Sequence, residues 1–334
     1  MRVRAHAPGR VNLIGDHTDY TGGLVLPMAI DRGTTVVLER TGHRVVLESA
    51  DEDAPAVVDL TVDDPAAVTP PWARLVAGVV REIGPSEGGV GRARTDLPIG
   101  AGLASSAALE VALGLALGFQ GSPLELALAC QRAEQAASGV PCGVMDQLAS
   151  AAGVAGCALL IDCSTFNVTP VPLPHGLDVV VVHSGQQRSL AGSAYAERRE
   201  HCEAAAAIVG PLRDADLDDV AMIEDPMLRR RARHVVSENA RVRAFASALA
   251  AEDLVGAGDL MVESHRSLRD DFDVSTTALD ELVARLLGQP GVHGARLTGA
   301  GFGGCVVALT EPGALGEGWL VSASGPARVM PELP

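Results

Sequence analysis

The scarcity of aromatic residues constrains the interior of this chain more than any other feature of its sequence. Phe, Trp and Tyr make up 3% of the residues, whereas hydrophobic residues as a whole make up 47%. Ala, Val and Leu must therefore fill the core at the packing density of protein interiors. At 334 residues the chain exceeds the usual size of one core, so two fused domains are expected, with one large α/β domain as the alternative.

The charged residues exclude several classes of protein. The formal net charge is -16, which would repel phosphate backbones and anionic lipid, so neither nucleic acid nor a membrane is an expected partner. All 26 basic residues are Arg, because the sequence contains no Lys. A Walker A loop, a protein-kinase strand lysine and a pyridoxal Schiff base all need Lys. Any bound phosphate would therefore meet backbone N–H groups, helix dipoles, metal ions or Arg.

The six cysteines and the first residues favour a cytoplasmic location. The cysteines form no C-x-x-C pair, and a chain of this length needs no disulfides, so reduced thiols are expected. The start, MRVRAHAPGRVNLIG, becomes polar too early for a signal peptide, and no apolar run of 18 residues is evident. We expect a soluble monomer.

Turn residues and hydrophobic periodicity predict the main elements. Alternating residues at 33–38 and 43–48 predict strands, and the Ala- and Leu-rich stretch 103–119 predicts a buried helix. The next helix is predicted at 123–137, with Ser122 as its N-cap. A Pro-rich stretch at 165–177 marks the predicted domain boundary. Further predictions are a strand at 178–183, helices at 193–209, 226–251, 259–268 and 277–287, and a final strand, glycine turn and strand.

The first segment that could carry chemistry runs from Pro8 to Gly23. Between its glycines stand polar residues that include Arg10, Asn12, Asp16, His17, Asp19 and Tyr20. Carboxylates and imidazole at this density can bind a polyhydroxylated ligand. A solvated loop whose aspartates cap a helix fits the spacing equally well. A metal site at Asp16, His17 and Asp19 is less favoured, because no second ligand cluster accompanies them.

The second segment is a glycine turn that leads into the Ala-rich helix. Its residues are Gly100, Ala101, Gly102, Leu103, Ala104, Ser105 and Ser106. Glycines allow the backbone to approach an anion, and the N-terminus of the helix attracts phosphate. A Rossmann turn is disfavoured because Ser105 stands where the third glycine is expected, and no ribose-binding acid follows. A plain helix-capping turn remains the alternative.

The third segment, 133–147, places two carboxylates around a Gly-Pro-Cys-Gly turn. Glu134 lies at the end of one predicted helix and Asp146 at the start of another. One of them could bind Mg²⁺ while the other orients a hydroxyl. Alternatively, Asp146 is a helix cap and Glu134 a surface acid.

Together these segments resemble galactokinases of the GHMP kinase superfamily, whose signature begins with G-R-x-N-L-I-G-E-H-T-D-Y. The stretches VLPMAIDRG, PCGVMDQ, YAERREHCE, SHRSLRDDFDVS and GARLTGAGFGGC also look like galactokinase segments, in matching order to about Thr310. The resemblance implies phosphorylation of the anomeric (C1) hydroxyl of galactose to galactose 1-phosphate, with ATP and Mg²⁺. The expected partners are thus a small sugar and ATP.

The resemblance also implies a fold of the α/β (α+β) class with two domains. An N-terminal domain similar to a ribosomal-protein domain, with a left-handed crossover, would span residues 1–165. A C-terminal ferredoxin-like domain would span 175–334. The active site would lie in the cleft between them.

Site residues follow from the resemblance position by position. Asp146 would be the catalytic base, and Arg10 would stabilise charge at the transferring phosphoryl group. The loop from Gly100 to Ser106 would hold the ATP phosphates, with Ser106 and Glu134 as Mg²⁺ ligands. The implied sugar-binding residues are Asp16, His17, Thr18, Asp19, Gly143 and Tyr195.

Two departures from the family concern the choice of sugar. Asp16 stands where galactokinases usually have Glu, which shortens the carboxylate by one methylene. Gln187 and Arg188 replace an Arg-His pair. A sugar 1-kinase with another monosaccharide substrate is therefore the main alternative, followed by a catalytically silent sugar-binding regulator. The presence of all four residues Arg10, Ser106, Glu134 and Asp146 argues against the silent protein, and a dehydrogenase would require NAD binding.

Overall fold

The computed structural model describes residues 1–98, 100–187 and 191–331, with the backbone alone at 191–193. The strands are β1 (Arg2–Asn12), β2 (Leu24–Val25), β3 (Pro27–Arg40), β4 (Arg44–Ser49), β5 (Ala56–Asp59), β6 (Gly89–Thr95), β7 (Cys157–Asp162), β8 (Asn167–Pro172), β9 (Asp178–His183), β10 (Val292–Thr298), β11 (Cys305–Thr310), β12 (Trp319–Val321) and β13 (Arg328–Met330). The helices are α1 (Ala73–Ile83), α2 (Ser105–Ala116), α3 (Pro123–Ser138), α4 (Met145–Ala152), α5 (Ala191–Val209), α6 (Leu217–Ala221), α7 (Pro226–Ala250), α8 (Leu254–Asp270) and α9 (Thr277–Leu287).

The first half of the chain is built on a six-stranded sheet of order β13-β1-β3-β6-β4-β5. Its strand pairs are antiparallel except for the parallel pair of β4 with β6. Alternate side chains such as Val36, Leu38, Val45 and Leu47 are buried and join one hydrophobic core with residues of α1 to α4. This sheet therefore has one face covered by helices.

Small side chains fill the core of this half, as the composition predicts. Along α2 the residues Ala107, Ala108, Ala112 and Ala116 are all fully buried. Because alanine brings helices close together, α2 can lie against α1, α3, α4 and the sheet at once. The position of α2 matters for the site, because its N-terminus points toward the glycine turn.

The second half is built on a four-stranded antiparallel sheet of order β10-β11-β9-β12. Helices α8 and α9 pack against β10, and α7 packs against α5 and α8. Residues 178–183 form strand β9 because their four buried valines are β-branched and fit a pleated, buried surface. A separate sheet, β2-β7-β8, contains the short strand that follows the polar segment of residues 13–23.

The end of the chain returns to the first sheet. Ala323 forms an isolated bridge with Ile30, and β13 pairs with β1 from Arg4 to His6. The division at 1–165 and 175–334 stays a prediction, and this closing strand shows that residues after 320 contact the first half. Within the described ranges no helix is long and apolar enough to cross a membrane.

Most predicted elements match the structure. Ser122 caps α3 in a capping box with Glu125, as predicted. The predicted start at 103 for the Ala-rich helix is wrong by two residues. Leu103 and Ala104 belong to the preceding turn, where Ala104 has a φ of 58° and thus cannot be helical.

Candidate active site

A cavity of about 300 Å³ collects eight of the sixteen predicted site residues, and those of the glycine turn do not line it. Its lining includes Arg10, Asp16, His17, Asp19, Asp146 and Tyr195. These residues come from β1, the loop after it, the first turn of α4, and α5. Glu134, Gly143 and Ala300 also line it. Segments far apart in sequence thus meet at one polar cavity.

Arg10 and Asp146 form a two-point ion pair at the floor of this cavity. Arg10 Nε donates to Asp146 Oδ1 at 2.8 Å, and Nη2 donates to Oδ2 at 2.7 Å. The Arg10 side chain is 5% exposed and that of Asp146 is 29% exposed. A bidentate guanidinium fixes both the position and the plane of the carboxylate, so Asp146 has one open side facing the cavity.

Arg10 also contacts the glycine turn. Its Nη1 donates to Gly102 O at 2.6 Å, and its backbone N–H donates to Leu103 O at 3.1 Å. Gly100 and Gly102 have φ values of 74° and 79°, which glycine adopts without strain. In the described part of the chain no side chain caps α2, so its first N–H groups are open to an anion.

Ser106 and Glu134 meet beside this helix end. Ser106 Oγ donates to Glu134 Oε1 at 2.8 Å, and Gln147 Nε2 donates to Oε2 at 2.6 Å. Burial, followed by the negative charge of Asp146, raises the pKa of Glu134. A cation would relieve that cost, and a hydroxyl with a carboxylate is an oxygen donor set that Mg²⁺ accepts.

Asp19 and Gly143 approach each other across the cavity. A β-carbon on Gly143 would overlap the carboxylate of Asp19, so a larger residue there would displace that side chain. Tyr195 lines the cavity together with Gly143. Burial, then the charge of Asp146, raises the pKa of Asp19 to about 7. Asp19 therefore changes its charge near neutral pH.

His17 lies in a cluster of aromatic side chains. Its ring centroid is 5.9 Å from Tyr20, 5.5 Å from Tyr195 and 4.8 Å from Phe272. Its Nε2–H donates to Ala300 O at 3.1 Å. In a chain with so few aromatic residues, this grouping shapes one wall of the cavity.

Asp16 and Thr18 are buried and bonded to protein groups, which the sequence does not suggest. Asp16 Oδ1 accepts from Gly299 N at 2.9 Å, and Oδ2 accepts from Arg296 Nη2. Burial raises the pKa of Asp16, and the charge of Arg296 opposes that rise. Thr18 is fully buried, and its hydroxyl bonds Gly15 O and Leu24 O. The side chain of Thr18 thus shapes the loop and does not line the cavity.

Sequence reasoning missed several buried polar residues, one in α4 and four in the second half. Arg296, Gln147, His234, Glu238 and Asn239 are all buried. A signal existed for Arg296, because it stands alone as a charge in an apolar strand. Of the two substituted positions near 187, Gln187 does not line the cavity, and Arg188 lies outside the described residues.

Three family models match the chain. One, described as the galactokinase galactose-binding signature, covers residues 2–40. The N-terminal and C-terminal domain models of the GHMP kinases cover residues 74–154 and 245–318. The fold and the site thus define a two-domain kinase of the GHMP superfamily, as the sequence predicts.

Comparison with individual proteins narrows the family. Galactokinases of Chloroflexus aggregans and Chloroflexus aurantiacus are both 45% identical to this chain, over 92% and 91% of it and 83% of their own lengths. The structure of Lactococcus lactis galactokinase complexed with galactose is similar with a TM-score of 0.91 and 29% identity, covering 98% of this chain and 95% of that one. Methanococcus jannaschii mevalonate kinase, 20% identical, shares the fold with a TM-score of 0.63 over 93% of this chain and 90% of its own. This chain belongs to the galactokinase family.

Proposed function

We propose that this protein transfers the terminal phosphoryl group of ATP to the anomeric hydroxyl of galactose, which gives galactose 1-phosphate. One observation carries the proposal. Arg10 bonds the carboxylate of Asp146 with one edge and the carbonyl of Gly102 with the other, so a single side chain joins the cavity to the glycine turn. A sugar in the cavity and phosphates at the turn would then share Arg10 at the point of transfer.

The sugar would bind the polar wall formed by Asp19, His17 and Tyr195. Asp19 has a carboxylate that accepts from hydroxyl groups, and Tyr195 and Gly143 limit the space beside it. Asp16 would contribute as well, although both its oxygens already bond protein groups. Sugar recognition therefore depends on side chains that are fixed before the substrate arrives.

The phosphates of ATP would lie on the turn from Gly100 to Ser106. The open N–H groups of α2 and the dipole of that helix favour negative charge. Arg10 lies at the sugar end of this turn and would neutralise charge that develops during transfer. These groups replace the lysine that other phosphate loops use, and the chain has none.

Ser106 and Glu134 would hold Mg²⁺. Their oxygens are adjacent, and Mg²⁺ commonly uses one or two protein oxygens together with phosphates and water. When bound, the ion would neutralise phosphate charge and orient the phosphates. Gln147 and Ser106 orient the Glu134 carboxylate from the protein side.

Asp146 would accept the proton of the reacting hydroxyl. A carboxylate is a weak base toward a free sugar hydroxyl, so the proton would move late, once the oxygen bonds phosphorus. Its two bonds to Arg10 fix the carboxylate plane, which positions one oxygen for this transfer. Positioning and charge neutralisation supply most of the rate enhancement in such reactions.

The decisive experiment measures ADP release with Mg-ATP and galactose for the wild type and Asp146→Asn. We expect turnover by the wild type and a loss of about a thousandfold or more in the variant, with ATP affinity retained. Near-normal turnover by Asp146→Asn would disprove the assignment of the base. A monomeric state and a cytoplasmic location stay predictions.

A second candidate function is phosphorylation of a different monosaccharide. Both oxygens of Asp16 already accept hydrogen bonds from the protein, and this side chain is one methylene shorter than the usual Glu. The cavity therefore offers a sugar fewer free acceptors than it would with Glu, which favours a different substrate. The same assay with galactosamine, N-acetylgalactosamine, arabinose, fucose, glucose and myo-inositol separates the two. Turnover of galactose above all others supports the first function, and turnover of another member alone supports the second.

A further inference from the structure

The loop that carries the proposed sugar-binding residues is held by a helix from the other half of the chain. We call residues 13–24 the sugar loop. His234 Nε2–H donates to Asp16 O at 3.1 Å, Glu238 Oε1 accepts from Gly15 N at 3.0 Å, and Asn239 Oδ1 accepts from Leu24 N at 2.8 Å. The three side chains, which we call the α7 clamp, therefore bond backbone groups at both ends of the loop.

The geometry of the helix explains how three residues reach one loop. Positions 234 and 238 are four residues apart and share a face, and position 239 lies about 100° further around the helix, so the three side chains cover its buried side over little more than one turn. All three are buried, at 0%, 0% and 3% exposure. They bond only main-chain groups of the loop, so the clamp fixes its path without contacting the cavity.

Burial and nearby charges set the protonation states of Glu238 and His234. Burial opposes ionisation of Glu238, but Arg241, His234 and Arg296 outweigh it and lower the pKa of Glu238 to about 2. Burial lowers the pKa of His234 to about 4, and its Nδ1 lies 3.0 Å from Ser267 Oγ. His234 is therefore neutral at physiological pH with its proton on Nε2, facing Asp16 O.

Asn239 keeps a polar side chain in a buried position. Its Nδ2 is buried and has no hydrogen-bond partner among the described residues. A buried, unpaired amide group costs about 1–3 kcal/mol, and an apolar side chain of the same size would avoid that cost but would leave Leu24 N without its acceptor. The position instead keeps an acceptor for Leu24 N at the point where the loop joins β2.

We propose that the α7 clamp consists of positioning residues that set the sugar loop for sugar binding. The inference rests on the proposed function of the cavity. Groups that bind a substrate must lie within about 0.5 Å of their productive positions, so loss of a clamp bond displaces Asp16, His17 and Asp19 together. The glycine turn has no bond to the clamp among the described residues, so ATP binding is independent of it.

The test uses two disruptive variants, one conservative variant and one control. His234→Leu removes the donor to Asp16 O, whereas His234→Gln keeps an amide N–H near the same place. Asn239→Leu removes the acceptor for Leu24 N at similar volume and serves if His234→Leu fails to fold. Leu249→Ala is the control, because Leu249 is a buried core residue of the same helix about 15 Å along the axis from Asn239.

Steady-state rates with galactose and Mg-ATP give the first measurement. We expect the sugar KM of His234→Leu and Asn239→Leu to rise about tenfold, with the ATP KM and the values for His234→Gln and Leu249→Ala within about twofold. Equal rises in both KM values, a sugar KM that stays near the wild-type value, or the same rise in Leu249→Ala would overturn the proposal.

Hydrogen exchange without substrate separates this inference from the proposed function. If the wild type phosphorylates no galactose, the proposed function fails and the clamp is judged by amide exchange in residues 13–24. Faster exchange there in His234→Leu and Asn239→Leu, but not in Leu249→Ala, supports the clamp. Unchanged exchange in both disruptive variants overturns it.

Discussion

The two sides of the cavity are built in opposite ways. On the side of the glycine turn, the proposed phosphate side, Gly100 and Gly102 have positive φ values, and no described side chain caps α2. On the side of residues 13–24, the proposed sugar side, α7 bonds the backbone of the loop and β10 bonds the Asp16 carboxylate. The phosphate side leaves backbone groups for a ligand to complete, whereas the sugar side is complete in itself. Substitutions on the two sides should thus alter different kinetic constants.

The largest effect on a KM value is expected from Gly143→Ala. The new methyl group would overlap the carboxylate of Asp19 and force it away from the cavity. We expect the sugar KM to rise by about fiftyfold or more while the ATP KM stays within about twofold. Initial rates at varied sugar and varied ATP measure this.

Gly139→Ala provides the matched control for that substitution. Gly139 lies four residues away, and a β-carbon there would meet no atom within 4 Å. Gly139→Ala should lower the free energy of unfolding by about 1 kcal/mol, because its φ of 71° is unfavourable for alanine. Both KM values should stay unchanged. If the ATP KM of Gly143→Ala rises together with the sugar KM, the two sides of the cavity do not act independently, and the comparison is contradicted.

A smaller effect is expected from Gly100→Ala on the phosphate side. The new methyl group would meet no atom within 4 Å, so only the φ of 74° is unfavourable. A cost of about 1–2 kcal/mol in the bound conformation of the turn should raise the ATP KM about fivefold to thirtyfold. The sugar KM should not change, and a calorimetric titration with ADP checks the affinity directly. A rise in the sugar KM alone would contradict the assignment of this turn to phosphate.

The smallest effect concerns pH on the sugar side. The pKa of Asp19 is raised to about 7, so its carboxylate is protonated below and ionised above that pH. An ionised carboxylate accepts hydrogen bonds from hydroxyls more strongly, so the sugar KM should fall a few-fold, about threefold to tenfold, between pH 6 and 8. Asp19→Asn should abolish this slope, whereas a slope that persists in the variant would assign it to another group.

The same group links pH to stability, with the opposite sign from a typical surface aspartate. The folded protein holds the Asp19 proton up to about pH 7, whereas the unfolded chain releases it near the ordinary aspartate pKa of 3.8. The contribution of Asp19 to the free energy of unfolding therefore falls as pH rises between those two values. Thermal unfolding should show Asp19→Asn to be stabilised relative to wild type more at pH 8 than at pH 4.

Much of the fold could be read from local sequence. The capping box at Ser122, the β-branched run 179–182 and the Ala-rich α2 each specify an element by local chemistry. The glycine turn and the Asp146 turn were also recognisable, because glycine and acidic residues have few roles there.

The long-range hydrogen bonds that fix the sugar loop could not be predicted from local sequence. Arg296 and Asp16 are 280 residues apart, and His234 is 218 residues from the same aspartate. Nothing local tells a buried histidine in a helix from a surface one, because its partner is a main-chain carbonyl in another half of the chain. Asp16 was accordingly predicted as a sugar ligand from its motif alone, without its bonds to Arg296 and Gly299.

The pairing of β13 with β1 has a consequence for biosynthesis. Residues 4–6 gain their second neighbour only when residues 328–330 have been synthesised. At usual rates of translation that interval lasts on the order of tens of seconds, during which this strand edge is exposed to other nascent chains. Arg2 and Arg4 place positive charge at the edge, which discourages pairing with a second copy of the same strand. Charge at the start of the chain thus protects the molecule during the period before its last strand exists.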